Sequence, residues 1–194
     1  MKKRGNKLKK EFFESLKYIR DSKIYIYSII IVFVLFALIA FCFPIPAEIQ
    51  SQIMTMIQEL LKETEGLNFW QMFSFIFLNN LKSSFFGMIS GMAFGIFSVI
   101  ITIVNGYFLG FVSMVSVNSE GFFVLWKLFP HGIFELPALF ISLGIGLRLG
   151  VSLFKKDENL IELFKKSMKV FFIIVVPLLI IAGLIESSLI IFSS

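Results

Sequence analysis

The chain has 194 residues, of which 57% are hydrophobic and only 16% charged, with 26 phenylalanines and a formal net charge of +5. Soluble domains run at roughly 45–50% apolar and 25% charged, and so much of a small fold stays exposed that this surplus has nowhere to hide. A soluble globular enzyme and a disordered chain are both excluded, which leaves an all-α, polytopic integral membrane protein.

One cysteine (Cys42) excludes an internal disulfide and a cysteine cage, and one histidine (His131) excludes the two-histidine zinc motifs. No metal and no cofactor are expected. Charge is bunched: residues 1–23 hold nine Lys/Arg against three Asp/Glu, residues 148–169 hold six against three, and the remainder is net acidic. Basic loops flanking apolar spans stay in the cytoplasm, so the excess charge points to a bilayer and not to nucleic acid.

Residues 1–10 form a basic tail suited to anionic lipid. Phe12, Phe13, Leu16 and Ile19 then recur at helical spacing among charges, which predicts an interfacial helix, so that 1–23 is a cytoplasmic tail and 24–194 a single membrane domain. The first span is read at 24–43, long enough to cross about 30 Å of hydrocarbon, as an uncleaved anchor with its N-terminus inside. Pro44 and Pro46 end it.

An amphipathic outer helix follows at about 46–65, with Ile49, Ile53, Ile57 and Leu60 on one face, Glu48 near its start and Gly66 at its C-terminal cap. Asn68 and Gln71 resemble a capping box. The aromatic run 68–81 is expected to lie at the outer interface, completing an outer hairpin over about 44–81.

The second span is placed at 84–104, where Ser83, Gly87, Gly91 and Gly95 repeat every four residues and form a face that lets a neighbouring backbone approach closely. Asn105-Gly106 reads as an inside turn, and a third span runs outward from it to Val117 or beyond. The fourth span is expected from Pro137 to Phe154, with Ala138, Ser142, Gly146 and Gly150 on one face. A basic amphipathic helix at 157–169 leads into a fifth span at 170–192, kinked at Pro177. The reading is five spans, N-terminus inside and C-terminus outside, with Lys82 and Lys127 the discordant charges.

Polar groups inside spans cost about 2.5–3.5 kcal/mol each near the centre if ionisable. Arg148 reads as a cytoplasmic anchor and Asn105 as a turn residue. Asn79, Asn80, His131, Glu135 and Glu186 come from three distant stretches and are expected at a similar depth near the outer leaflet. Pro130 and Pro137 bracket His131 and Glu135, which predicts a broken helix or re-entrant turn there. Such a cluster is a hydrogen-bonded clasp, a site for a partner's segment or polar ligand, or a proton or ion relay. No Ser/His/Asp, HExxH or P-loop pattern is present, so no enzyme activity is expected.

The run PHGIFELPALFISLGIGLRLG (130–150) resembles the signature of the stage II sporulation protein M family. FLNN (77–80), GMISGMAFGIF (87–97), NGYFLG (105–110) and AGLIES (182–187) match in the same order. The resemblance carries over Asn80, Asn105, Pro130, His131, Gly132, Glu135, Pro137 and Glu186 as motif positions. It implies a multi-pass cell-membrane protein of bacteria or archaea. In endospore formers the namesake scaffolds an exported peptidoglycan-degrading machine, whereas the family also reaches organisms without spores or peptidoglycan. The expected function is therefore a non-enzymatic membrane scaffold with an extracytoplasmic or membrane protein partner, possible homo-oligomer formation included. The alternative is a transporter or permease subunit with an outer-side His/Glu site.

Overall fold

A computed structural model describes residues 2–43, 46–155 and 157–193, with the side chains of 2–6, 8, 126–131 and 193 outside the description. Among the described residues the fold is helical throughout: α1 (Lys2–Asp21), α2 (Lys23–Cys42), α3 (Ala47–Thr64), α4 (Phe69–Ser90), α5 (Ile96–Glu120), α6 (Leu125–Ser152), α7 (Leu160–Val170) and α8 (Val176–Ser193), with a 3-10 turn at Phe122–Val124 and a π-helical turn at Phe171–Val175. Four stretches are long and apolar enough to cross a membrane: Lys23–Cys42, Ile96–Glu120, Gly132–Ser152 and the continuous Leu160–Phe192. α4 has a comparable length but carries Gln71, Asn79, Asn80 and Lys82.

Local chemistry accounts for most boundaries. Asn68 and Gln71 close a reciprocal capping box, each side chain accepting from the other's backbone N–H at 3.0 Å. The Asn159 side chain accepts from the N–H groups of Ile161 and Glu162 and starts α7. α3 has Glu48 in its first turn and Lys62 in its last, both favourable to the helix dipole. Gly66, with φ +73°, turns the chain after it. Pro177 lacks the N–H that would bond the Ile173 carbonyl. The chain absorbs the defect one turn earlier, where the Val176 N–H reaches back to the Phe171 carbonyl in the π-helical turn.

Three expectations are corrected. The first concerns the turn between the second and third spans, which lies at Gly91–Gly95 and not at Asn105-Gly106. Phe94 (φ +57°) and Gly95 (φ +78°) are both left-handed there, and the Gly95 N–H reaches the Gly91 carbonyl at 2.6 Å. Asn105 and Gly106 sit inside α5. Second, the aromatic run 68–81 is no separate interfacial piece, because it forms one unbroken helix with 82–90. Third, α6 runs through Pro130 and Pro137 without a break, so Pro137 is interior and not a first-turn residue. Proline is tolerated inside such helices because neighbouring groups take up the freed carbonyl.

Packing fixes the helix directions. Gly106 rests on the Phe33 backbone and Gly110 on Ala37, so α2 and α5 run the same way. Gly87 meets Leu143 and Gly91 meets Gly146, which makes α4 parallel to α6. Gly144 against Ile26 and the Phe33–Phe140 ring pair make α6 antiparallel to α2. Gly183 on Phe73 and Phe77, with Phe85 against Phe171, makes α8 antiparallel to α4. The largest core joins α4, α6, α7 and α8 around Met88, Ile145, Leu149, Phe171, Val175 and Leu179. α1 and α7 lie together at one end, and their lysines make it the basic end. α3 follows the opposite end of α2.

A candidate site of amides and carboxylates in the bundle

The polar residues singled out from sequence divide between levels. Gly87 packs on Leu143, and Asn79 lies eight residues before Gly87 as Glu135 lies eight before Leu143. In these parallel helices Asn79, Asn80 and Glu135 therefore reach one level, about 12 Å from the Gly87–Leu143 contact toward the end remote from the basic helices. Glu186 lies three residues past Gly183, which rests on Phe73 and Phe77, and so sits further toward that remote end. Asn80, Glu135 and Glu186 are half-buried, whereas Asn79 is exposed. The His131 side chain and that of Pro130 lie outside the described residues.

Asn105 is corrected from a turn residue to a mid-helix amide. Its side-chain N–H donates to the Ile101 carbonyl at 2.8 Å, satisfying one donor within α5. The adjacent Gly106 is what α2 needs, because a Cβ there would stand 2.5 Å from the Phe33 carbonyl oxygen. Gly132 is half-buried, and among the described residues a Cβ on it would meet the Leu136 side chain, at 3.2 Å.

The glycine series forms a seam. A Cβ on Gly146 would lie 2.6 Å from Ser98 Oγ and 2.7 Å from the Gly87 carbonyl oxygen, and one on Gly95 would lie 2.7 Å from a Leu147 methyl. Gly150 abuts the Gly91 carbonyl and the Gly95 N–H. The buried Ser98 hydroxyl donates to the Gly87 carbonyl at 2.9 Å, so backbone, hydroxyl and missing side chains hold α4, α5 and α6 together.

Sequence reasoning read Arg148 as an anchor and missed its partners. Its guanidinium donates to Ser22 Oγ at 2.8 Å and stands 4.6 Å over the Tyr18 ring. The Tyr18 hydroxyl donates to the Leu163 carbonyl at 3.4 Å and lies 3.1 Å from the Ser167 hydroxyl. Burial pushes the Tyr18 hydroxyl above its ordinary pKa of 10.0, opposed by the Ser167 hydrogen bond. Lys155 donates to the Tyr25 hydroxyl at 3.0 Å and to Glu158 at 3.3 Å, and both contacts raise its pKa. One cation thus ties α6 to the α1–α2 junction, and one tyrosine ties α1 to α7. Among the described residues, no group of three His, Cys, Asp or Glu comes together as a metal site would need.

Comparison with known proteins agrees with this arrangement of motifs. The family model for stage II sporulation protein M matches residues 29–189, from within α2 through most of α8. The chain belongs to the stage II sporulation protein M family. Two uncharacterised proteins of Methanocaldococcus jannaschii are similar to it. One is 30% identical over 103 residues, covering 49% of this chain and 46% of the relative, and the other is 32% identical over 121 residues, covering 59% and 68%. The chain thus spans about half the length of the first of these relatives. No solved structure matches it. The four apolar stretches fit a membrane protein of this family.

Proposed function

We propose that this family member is a non-enzymatic multi-pass membrane scaffold, with its N-terminus cytoplasmic and its C-terminus outside. It holds an extracytoplasmic or membrane protein through α3. The observation behind this reading is that α3 is amphipathic and leaves all its residues unburied: Ile49 and Leu60 are exposed, and Ile53 and Ile57 only half-covered. An apolar stripe of this kind needs a covering surface, and the bundle does not supply it. The resemblance to a family whose namesake organises an exported complex supports the same reading.

In-membrane cross-linking with mass spectrometry of what copurifies tests it. A stoichiometric partner that is lost in Ile53→Ser/Ile57→Ser is the expected result. Recovery of the protein alone, as a defined oligomer, counts against a scaffold. It would favour the second reading, a transporter or permease subunit, for which the motivating observation is two half-buried carboxylates, Glu135 and Glu186, in apolar helices. Liposome flux lost in Glu135→Gln/Glu186→Gln would then identify a relay, and unchanged flux would exclude one.

A further inference from the structure

The side of α4 that the bundle leaves open sets polar groups among apolar ones, Trp70, Leu78 and Phe86 being exposed there too. Gln71, Ser74, Leu78, Asn79, Lys82 and Phe86 are all exposed and share one side of the helix by their spacing. Among the described residues no carboxylate comes within ion-pair distance of Lys82. An apolar lipid-facing surface is normal; this one carries an amide pair, a hydroxyl and an ammonium group.

The helix directions make that surface significant. α2 leaves the basic end, and α5 runs parallel to it from a turn beside Gly146 and Gly150. Between Cys42 and Ile96 the chain therefore has to return to the basic end. α4 makes that return, parallel to α6 and antiparallel to α8, and its 22 residues cover about 33 Å. Lys82 lies eight residues, about 12 Å, before the end of α4, and its Cβ points toward the helix N-terminus, away from the nearer surface. Reaching headgroups at that surface would mean doubling back.

We propose that α4 is a membrane crossing whose polar side is covered, inside the bilayer, by a partner's transmembrane helix carrying a carboxylate at the depth of Lys82 and amide or hydroxyl groups at the depths of Asn79 and Ser74. This rests on the scaffold reading and gives the membrane partner a chemistry. Charge complementarity selects it: a carboxylate neutralises Lys82, and a side-chain amide both donates to and accepts from Asn79. A second copy docked face to face by twofold symmetry would instead set two Lys82 ammonium groups at one depth.

The test uses the full chain, labelled with a donor fluorophore at Cys42, in phosphatidylcholine vesicles. The probe is an acceptor-labelled leucine–alanine transmembrane peptide of roughly twenty residues, bearing one central Glu, or Leu in its place. Energy transfer should report binding of the Glu peptide. The Leu peptide and Lys82→Gln should each weaken it about tenfold, and Lys82→Glu should bind a central-Lys peptide instead. Thermal midpoints should match among these variants because the side chain is exposed. Equal binding of the Glu and Leu peptides, or no effect of Lys82→Gln, overturns the proposal. So does self-association of the wild type that Lys82→Gln strengthens, which would make the occupant a second copy. Copurification of one partner by both wild type and Lys82→Gln would overturn this surface while sparing the scaffold. Loss of every partner from the wild type would defeat the scaffold itself.

Discussion

The α4–α6 seam and the α3 helix are opposite uses of a helix surface. At the seam the backbones approach so closely that Gly91, Gly146 and Gly150 have no room for a methyl group, and the space beside Gly87 is filled by the Leu143 side chain. In α3 nothing is buried, although isoleucines recur on one face. Both are regular helices with good terminal chemistry, so regularity does not separate structure from recruitment. What separates them is whether the side-chain pattern is answered within the chain. The seam is answered by glycine facing glycine, whereas among the described residues α3 and the open side of α4 are not.

The comparison can be broken most forcefully at the seam. Gly150→Val forces a branched side chain onto the Gly91 carbonyl and the Gly95 N–H. Overpacking of this kind costs about 3 kcal/mol, and here rigid backbone stands opposite, so the yield of folded protein in detergent should collapse. A wild-type melting midpoint would show that the seam opens freely.

Arg148→Leu comes next. It removes a hydrogen bond to Ser22 and a cation over the Tyr18 ring, together worth about 2 kcal/mol. The loss should be local: proteolysis near Lys17 should accelerate while the α4–α6–α8 core keeps its hydrogen-exchange protection. Uniform loss of protection would mean that the clasp supports the whole bundle.

A smaller effect should appear with pH. Burial raises the pKa of Tyr18, so its neutral form is favoured in the folded state. The contribution is intact below the unfolded value of 10.0 and falls as pH rises above it, because the unfolded chain ionises first. The α1–α7 contact should therefore loosen above pH 10, with less alkaline sensitivity in Tyr18→Phe. Matching alkaline profiles would contradict the assignment. Smallest of all, Ile53→Ser/Ile57→Ser should leave stability within about 0.5 kcal/mol of wild type, and a large shift would mean that α3 packs on the bundle after all.

How much of this was legible depended on whether a pattern has one physical meaning. The uncharged stretch 24–43 can only be a long apolar helix, and Asn68 with Gln71 has few uses besides a cap; both appear in the structure. Glycines four apart have two uses. They pave a seam, and they also permit the left-handed backbone of a tight turn. Gly95 does both at once, left-handed at φ +78° and packed on Leu147, so a reading of the seam alone puts the turn ten residues too late. Asn105-Gly106 is a turn signal in water. Within an apolar helix the amide bonds its own Ile101 carbonyl and the glycine admits α2. Arg148 was legible as a charge near the basic end, but its partners Tyr18 and Ser22 are more than a hundred residues away, and no local pattern reports such a pairing. The depth of the candidate site was missed for the same reason as the turn: moving that turn moved Asn79 and Asn80 inward along α4, away from Glu186.

The Tyr18 contact also bears on biosynthesis. Tyr18 is made well before the groups it bonds, the Leu163 carbonyl and the Ser167 hydroxyl, which follow it by 145 and 149 residues. Until α7 is made Tyr18 lacks both of these partners, and α1 also carries Phe12, Phe13 and Leu16, which stay exposed in the folded chain. A bilayer surface can hold α1 as an apolar and basic helix before α7 emerges. α1 then waits for α7 before its tyrosine is bonded, so a ribosome stalled before α7 should leave α1 open to protease that the folded bundle excludes.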